Sequence, residues 1–135
     1  MNDAQLKRIL QSTRTIASVG LSSNPDKPSY GVVAYLLSQG YRVIPVNPTV
    51  AEVFGEKAYP DLLSIPDTID VVQLFRRAED VPPFVEQAIQ IGAKVVWMQE
   101  GIVNEAAARR AREAGLEVVM DHCMRAEHRR LIGEK

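Results

Sequence analysis

Short apolar runs alternate with stretches of helical periodicity along the chain. Five runs are rich in β-branched residues and are bounded by turn residues, which is typical of strands. Most are apolar at consecutive positions, as expected for strands buried on both faces of a parallel sheet. The predicted strands are Thr15–Gly20, Ile69–Phe75 and the runs within QGYRVIPV, IGAKVVWM and AGLEVVM.

Four segments with apolar residues at helical spacing separate these runs. They begin near Asp3, Pro28, Val81 and Asn104 and end near Leu10, Gly40, Ile91 and Ala114. Short polar side chains before a helix favour capping of its first turn, which predicts N-caps at Asp3, Asp80 and Asn104. Glycine after a helix suits a left-handed residue, which is expected at Gly40, Gly92 and Gly115.

The stretch VAEVFGEKAYPDL, which begins at Val50, fits neither pattern over its whole length. We expect an extended loop there, with a short additional strand around Val53 and then one helical turn.

Alternation of strands and helices at this spacing predicts an α/β fold. The expected architecture is a single Rossmann-like doubly wound domain over residues 1–135, with about five parallel strands and helices on both faces. The flavodoxin-like strand order and half of a dinucleotide-binding fold both accommodate the pattern.

Composition narrows the classes of partner. The 135 residues include 16 basic and 17 acidic residues, for a net charge of -1, so we expect neither a nucleic-acid-binding nor a membrane-binding surface. Cys123 is the single cysteine and excludes an intramolecular disulfide. No apolar run approaches the roughly 20 residues that span a bilayer, and the first residues are unlike a signal peptide. A cytoplasmic protein is therefore expected.

The predicted loops at the carboxyl ends of the strands form one edge of the sheet, where ligands of such folds bind. They are Gly20–Ser29, Asn47–Val50, Arg76–Asp80, Gln99–Asn104 and Asp121–Arg125. The first is the richest in polar groups and predicts a phosphate-binding loop before a helix N-terminus. Its candidate residues are Gly20, Ser22, Ser23, Asn24 and Lys27. The same turn residues would also serve any connection between a strand and a helix.

Two further strand ends contribute candidates. Pro48 ends the second strand and would form a rigid wall beside the adenosine of a nucleotide. No acidic residue stands there to bind ribose hydroxyls, which argues against a simple NAD site. The segment Met98, Gln99, Glu100 and Gly101 brings a carboxylate to the same crevice, although it also reads as an ordinary strand end and turn.

Other chemistry-bearing residues carry weaker signals. Arg76 and Arg77 are followed by Glu79 and Asp80, which favours a solvated helix start of mixed charge over a phosphate site. A metal site at Asp121, His122, Cys123 and His128 is disfavoured, because paired-ligand spacing is missing. Trp97 lies within an apolar strand and is expected in the core.

The chain resembles the bacterial CoA-binding proteins that are similar to the N-terminal domain of the succinyl-CoA synthetase alpha subunit. The resemblance covers about Leu6 to Leu131 and rests on four segments: IASVGLSSNPDKPSYGVVAYLLSQGYRVIPVNP, DVVQLFRRAEDVPPFVEQAI, VVWMQEGI and VVMDHCMRAEHRRL. It implies that the loop after the first strand clasps the CoA phosphates through Gly20, Ser22, Ser23, Asn24 and Lys27. Pro48 and the segment Met98–Gly101 match further synthetase positions, whereas the synthetase lysine falls near Val50 and is missing. The synthetase's phosphorylated histidine belongs to a domain outside the resemblance, so synthetase activity is not implied.

Three functions are consistent with these features. The favoured one is a module that binds CoA or an acyl-CoA without catalysis of its own, either as a homo-oligomer or beside a partner enzyme subunit. The second is an enzyme that acts on an acyl-CoA through Glu100, His122 or Cys123. The third is a redox or sensor domain that binds NAD or FAD.

Overall fold

The computed structural model describes all of residues 1–135. The strands are β1 (Thr15–Val19), β2 (Arg42–Val46), β3 (Glu52–Val53), β4 (Glu56–Lys57), β5 (Val71–Leu74), β6 (Val95–Met98) and β7 (Glu117–Val119). The helices are α1 (Asp3–Ser12), α2 (Pro28–Ser38), α3 (Val81–Gln90), α4 (Glu105–Glu113) and α5 (Met124–Leu131), with a 3₁₀ turn at Ala78–Asp80. No helix combines the length and the apolar character needed to cross a membrane.

Five strands form one fully parallel sheet in the order β2-β1-β5-β6-β7. Counted within the sheet, this is the 2-1-3-4-5 arrangement, so the flavodoxin-like order is the correct one of the two alternatives. The chain adds β2 on one side of β1 and then crosses to β5 on the other side. The strand order therefore reverses between β1 and β5, which is where a ligand crevice is expected.

Helices cover both faces of the sheet. One face packs against α1, α2 and α5, and the other packs against α3 and α4. Neighbouring residues of β1 illustrate the alternation, because Ile16 belongs to the first apolar cluster and Ala17 to the second. Burial on both sides explains why the strands are apolar at consecutive positions. The predicted α/β fold is confirmed, and Trp97 lies fully buried in the core as expected.

The ends of the helices test the local predictions. The predicted left-handed residues after helices are confirmed, because Gly40, Gly92 and Gly115 all have positive φ. The predicted N-cap at Asn104 is also confirmed, because its side chain accepts a hydrogen bond from the Ala107 amide. The predicted cap at Asp3 is wrong by one residue. Asn2 caps α1 instead, because its side chain accepts from the Gln5 amide while the Gln5 side chain accepts from the Asn2 amide.

The prediction for Asp80 is also wrong. Asp80 precedes α3, but its carboxylate caps no amide and instead accepts a hydrogen bond from Arg77 at 3.2 Å.

The segment after β2 is partly as predicted. The extra strand around Val53 exists, as β3 of an antiparallel hairpin with β4. The prediction of a helical turn after this strand is wrong. Residues 61–64 form a non-helical turn instead, in which the Asp61 carboxylate accepts from the Ser64 amide. Before that turn, Tyr59 lies beside β2, where its amide donates to the Pro45 carbonyl at 3.0 Å.

Helix α5 was not predicted, and it holds a buried histidine. His128 is 3% exposed, and its Nδ1 lies 2.7 Å from the Tyr35 hydroxyl. The ring also meets Tyr41 edge-on, and burial raises the pKa of Tyr41 to about 12. Burial, and then the charge of Lys135, lower the pKa of His128, so the imidazole is neutral in the folded protein near pH 7.

Candidate functional site

A crevice opens at the carboxyl edge of the sheet, where the strand order reverses. Its volume is about 1060 Å³, which is large enough for an extended cofactor. The walls come from the segments that follow β1, β5, β6 and β7. The segment after β2, which was also expected at the site, does not line this crevice.

Two walls of the crevice meet at Gly20. Its φ is 85°, in the left-handed region that favours glycine. A Cβ at this position would lie 2.8 Å from the Phe75 carbonyl oxygen and 3.2 Å from Cδ of Arg76. Glycine is therefore required both for the backbone conformation and for the close approach of the loops that follow β1 and β5.

Side-chain oxygens hold the loop between Gly20 and α2 in shape. The Ser29 hydroxyl accepts from the Ser22 amide at 3.1 Å, and the Ser22 hydroxyl accepts from the Asn24 amide at 3.0 Å. The Asn24 side chain accepts in turn from the Asp26 amide at 3.0 Å. These oxygens replace backbone acceptors, so the loop is ordered without regular secondary structure.

Three backbone amides of this loop have no acceptor within the protein. They belong to Leu21, Ser23 and Ser29. Leu21 and Ser29 are buried and Ser23 is exposed, and of the three only Ser29 lines the crevice. Ser29 lies in the first turn of α2, directly after Pro28, which has no N–H group to offer. Buried amides are nearly always paired, and unpaired ones at a helix start attract an anion.

Positive charge surrounds the start of α2. Lys27 is the N-cap residue of α2, and Arg125 projects from α5 over the Gly31 backbone. Both line the crevice, and neither takes part in an ion pair. Arg76 also lines the crevice, where its guanidinium lies 3.9 Å from the Asp80 carboxylate.

A chain of buried polar side chains runs beneath the crevice. The Ser18 hydroxyl donates to Gln73 at 2.8 Å, and the Gln73 amide donates to the Gln99 side-chain oxygen at 3.3 Å. That oxygen also accepts from the Met124 amide at 3.1 Å. The chain links β1, β5 and the end of β6 to the first residue of α5, so it fixes where α5 begins relative to the sheet.

The structure brings five of the nine predicted site residues together on the crevice wall: Gly20, Ser22, Lys27, Gln99 and Glu100. Ser23 and Asn24 lie exposed on the outer part of the loop and do not line the crevice. Pro48 lies outside it as well. Met98 is fully buried in the core, because alternation along β6 turns its side chain away from Trp97 into the cluster under α3 and α4.

Sequence reasoning missed part of the wall. Arg125 lies in a segment that was predicted to reach this edge, but only the unpredicted helix α5 directs its side chain over α2. The preference for a solvated charge cluster at Arg76 and Arg77 is correct for Arg77, which pairs with Glu79 and Asp80. Arg76 is likewise exposed and lies 3.9 Å from the Asp80 carboxylate, and it also lines the crevice.

The histidines and the cysteine are not arranged as a catalytic set. Cys123 lines the crevice, and its thiol takes part in no hydrogen bond. His122 lies 3.7 Å from Glu127, and His128 is held by Tyr35 on the far side of α5. No group of three or more histidine, cysteine, aspartate or glutamate side chains comes together in a way that could hold a metal ion.

A family model described as a CoA binding domain matches residues 14–129. The chain belongs to the CoA-binding domain family. The matched residues include the whole crevice, from Gly20 to Arg125. The predicted resemblance to CoA-binding domains is confirmed.

Relatives of this CoA-binding domain include both small and large proteins. The uncharacterized protein YneT of Bacillus subtilis is 43% identical over 93% of each chain. An ADP-forming acetate–CoA ligase of Archaeoglobus fulgidus is 30% identical over 68% of this chain, which corresponds to 14% of the ligase. This chain thus matches only a small part of such a ligase.

Solved structures agree with the fold of the CoA-binding domain. A hypothetical protein from Pyrococcus horikoshii superposes with a TM-score of 0.96 at 47% identity, over 98% of this chain and 94% of the other. A dinucleotide-forming acetyl-coenzyme A synthetase of Ca. Korarchaeum cryptofilum superposes with a TM-score of 0.71 at 29% identity, over 84% of this chain and 27% of the synthetase.

Proposed function

We propose that this chain binds CoA or an acyl-CoA in the crevice, with the CoA diphosphate against the loop that follows β1. The observation that carries this proposal is the unpaired amide of Ser29 at the start of α2, which lines the same crevice as Lys27, a lysine without an ion-pair partner. An anion there would accept hydrogen bonds that the protein leaves unmade and would balance a charge that has no partner. The family match supports the same ligand.

The rest of the crevice suits the other end of CoA. Beyond the start of α2 its wall includes the apolar side chains of Val32, Phe75 and Ile102, together with the Glu100 carboxylate. The pantetheine arm is a chain of amides and methylene groups, so it needs an apolar channel with a few polar groups. We therefore expect the thiol or thioester to lie near the segments that follow β6 and β7.

The side chains of this crevice support binding without turnover. Nucleophilic catalysis needs a base within hydrogen-bond reach of the nucleophile, and the base needs an orienting partner. Here no histidine is hydrogen-bonded to the Cys123 thiol: Nδ1 of His122 lies 3.7 Å from the Glu127 carboxylate, and His128 is bonded to Tyr35. A partner enzyme subunit or a second copy of the chain would supply any chemistry, as the relatedness to a part of larger ligases suggests.

Calorimetric titration with CoA tests the phosphate loop. Lys27→Ala should weaken binding by about 1–2 kcal/mol, the scale of a charge-assisted contact. Lys7→Ala is the matched control, since it removes an exposed lysine of α1, away from the crevice. Equal affinity of the Lys27→Ala and native proteins would remove Lys27 from the site.

A free-thiol release assay across acyl-CoA lengths tests the absence of catalysis. We expect no release above the uncatalysed rate for acetyl-, succinyl- or longer acyl-CoA with the protein alone. Saturable release that disappears in Cys123→Ala or His122→Ala would establish an enzyme instead.

A further inference from the structure

A guanidinium from α5 lies over α2 and has no partner of its own. An Nη atom of Arg125 is 3.3 Å from the point where a Cβ on Gly31 would stand. The side chain makes no ion pair and no hydrogen bond, so all its donors remain available. It is only partly exposed and it lines the crevice. A partly buried arginine on a crevice wall without a carboxylate partner is suited to an anionic ligand.

The position of Arg125 is set from two sides. Its neighbour Met124 is fully buried and donates its amide to the Gln99 side chain at 3.1 Å. Further along α5, Arg130 forms ion pairs with Asp3 of α1 and with Glu127. Helix α5 is therefore attached both to the strand edge and to α1, and Arg125 projects from its first turn toward α2.

Arg125, Lys27 and the unpaired amide of Ser29 line the same crevice. A diphosphate carries two anionic groups, so one phosphoryl group at the Ser29 amide leaves a second for the Arg125 guanidinium. Arginine binds phosphate through two parallel hydrogen bonds, which a lysine cannot supply.

We propose that Arg125 is a ligand-binding residue that closes over the CoA diphosphate from α5, opposite Lys27. This inference rests on the proposed CoA site and adds a binding residue from α5 to it. Gly31 is part of the arrangement, because a Cβ there would lie 3.3 Å from the guanidinium and shift it slightly. Ligand binding should then add a bridge between α2 and α5, which already pack against each other in the free protein.

The experiment is calorimetric titration of the full chain with CoA, with succinyl-CoA and with pantetheine, which lacks phosphate, at low and high salt. Arg125→Ala should weaken CoA binding about tenfold or more, and the loss should shrink at high salt. Its affinity for pantetheine should stay that of the native protein. Arg125→Lys should recover only part of the loss, and Gly31→Ala should weaken CoA binding with every charge retained. Arg112→Ala, which removes an exposed and unpaired arginine of α4, is the control.

Three results would overturn the proposal. Arg125→Ala binding CoA as tightly as Arg112→Ala would place the diphosphate elsewhere. Equal losses for CoA and pantetheine would indicate a purely structural role. A loss confined to succinyl-CoA, with CoA unaffected, would assign Arg125 to a carboxylate on the acyl group. A native protein without affinity for CoA would contradict the proposed function itself, whereas these three results leave that function standing.

Discussion

Replacing Gly20 with alanine should separate the loops that follow β1 and β5. The new Cβ would lie 2.8 Å from the Phe75 carbonyl oxygen, on a backbone with a φ of 85°. The left-handed conformation costs about 1–2 kcal/mol for a residue with a Cβ. Overpacking against the neighbouring backbone adds about 1–3 kcal/mol. We therefore expect the free energy of unfolding to fall by roughly 2–5 kcal/mol.

Gly40→Ala provides a matched control for this prediction. Gly40 has a similar φ of 96°, but a Cβ there would meet nothing within 4 Å. The free energy of unfolding of Gly40→Ala should therefore fall only by the cost of the left-handed conformation, about 1–2 kcal/mol. Urea unfolding monitored by circular dichroism gives both free energies, provided that the two variants have the same dependence of the free energy of unfolding on urea concentration. A Gly20→Ala protein no less stable than Gly40→Ala would refute the argument that the two loops need their close approach.

Three further predictions concern stability. Gln73→Leu leaves the buried Ser18 hydroxyl without its acceptor and should cost about 1–3 kcal/mol in urea unfolding, and a loss under about 0.5 kcal/mol would contradict the role of the polar chain. Because the pKa of His128 is lowered by folding, its contribution to stability is complete above the unfolded value near 6.5 and is lost as pH falls below it, by at most about 1.4 kcal/mol per pH unit. The difference in the free energy of unfolding between pH 7.5 and pH 5.5 should shrink in His128→Asn and stay unchanged in the control His122→Asn. The reverse result would be incompatible with a buried, neutral His128. Asn104→Ala should cost about 1–2 kcal/mol, since the Ala107 amide loses its cap, and an unchanged melting temperature would show that this cap contributes nothing.

The sheet was predictable from sequence because its strands carry a strong signal. Val71–Leu74 and Val95–Met98 are buried on both faces, so they are apolar throughout and are bounded by turn residues. The strand order was not predictable, since both candidate orders bury the same residues. Helix α5 escaped prediction because half of its eight residues are charged and only Met124 and His128 are buried.

The candidate site was predictable where it is local in sequence. Gly20, Ser22 and Lys27 lie within one loop, and its turn residues could be recognised in the sequence. Arg125 could not be found in the same way, because it reaches α2 through tertiary packing from the other end of the chain. Met98 was assigned to the site because it lies at a strand end, and the pleat of β6 turns it into the core instead.

Calorimetric titration of the native protein with CoA, NAD and FAD in parallel measures which cofactor the crevice selects. We predict one CoA per chain, bound more tightly than either dinucleotide, because no carboxylate stands at the end of β2 to bind a ribose. The Asn47 side chain there is already engaged with the Leu21 carbonyl and with Thr49. Tighter binding of NAD or FAD than of CoA, or no heat of binding with CoA at millimolar concentration, would contradict this prediction.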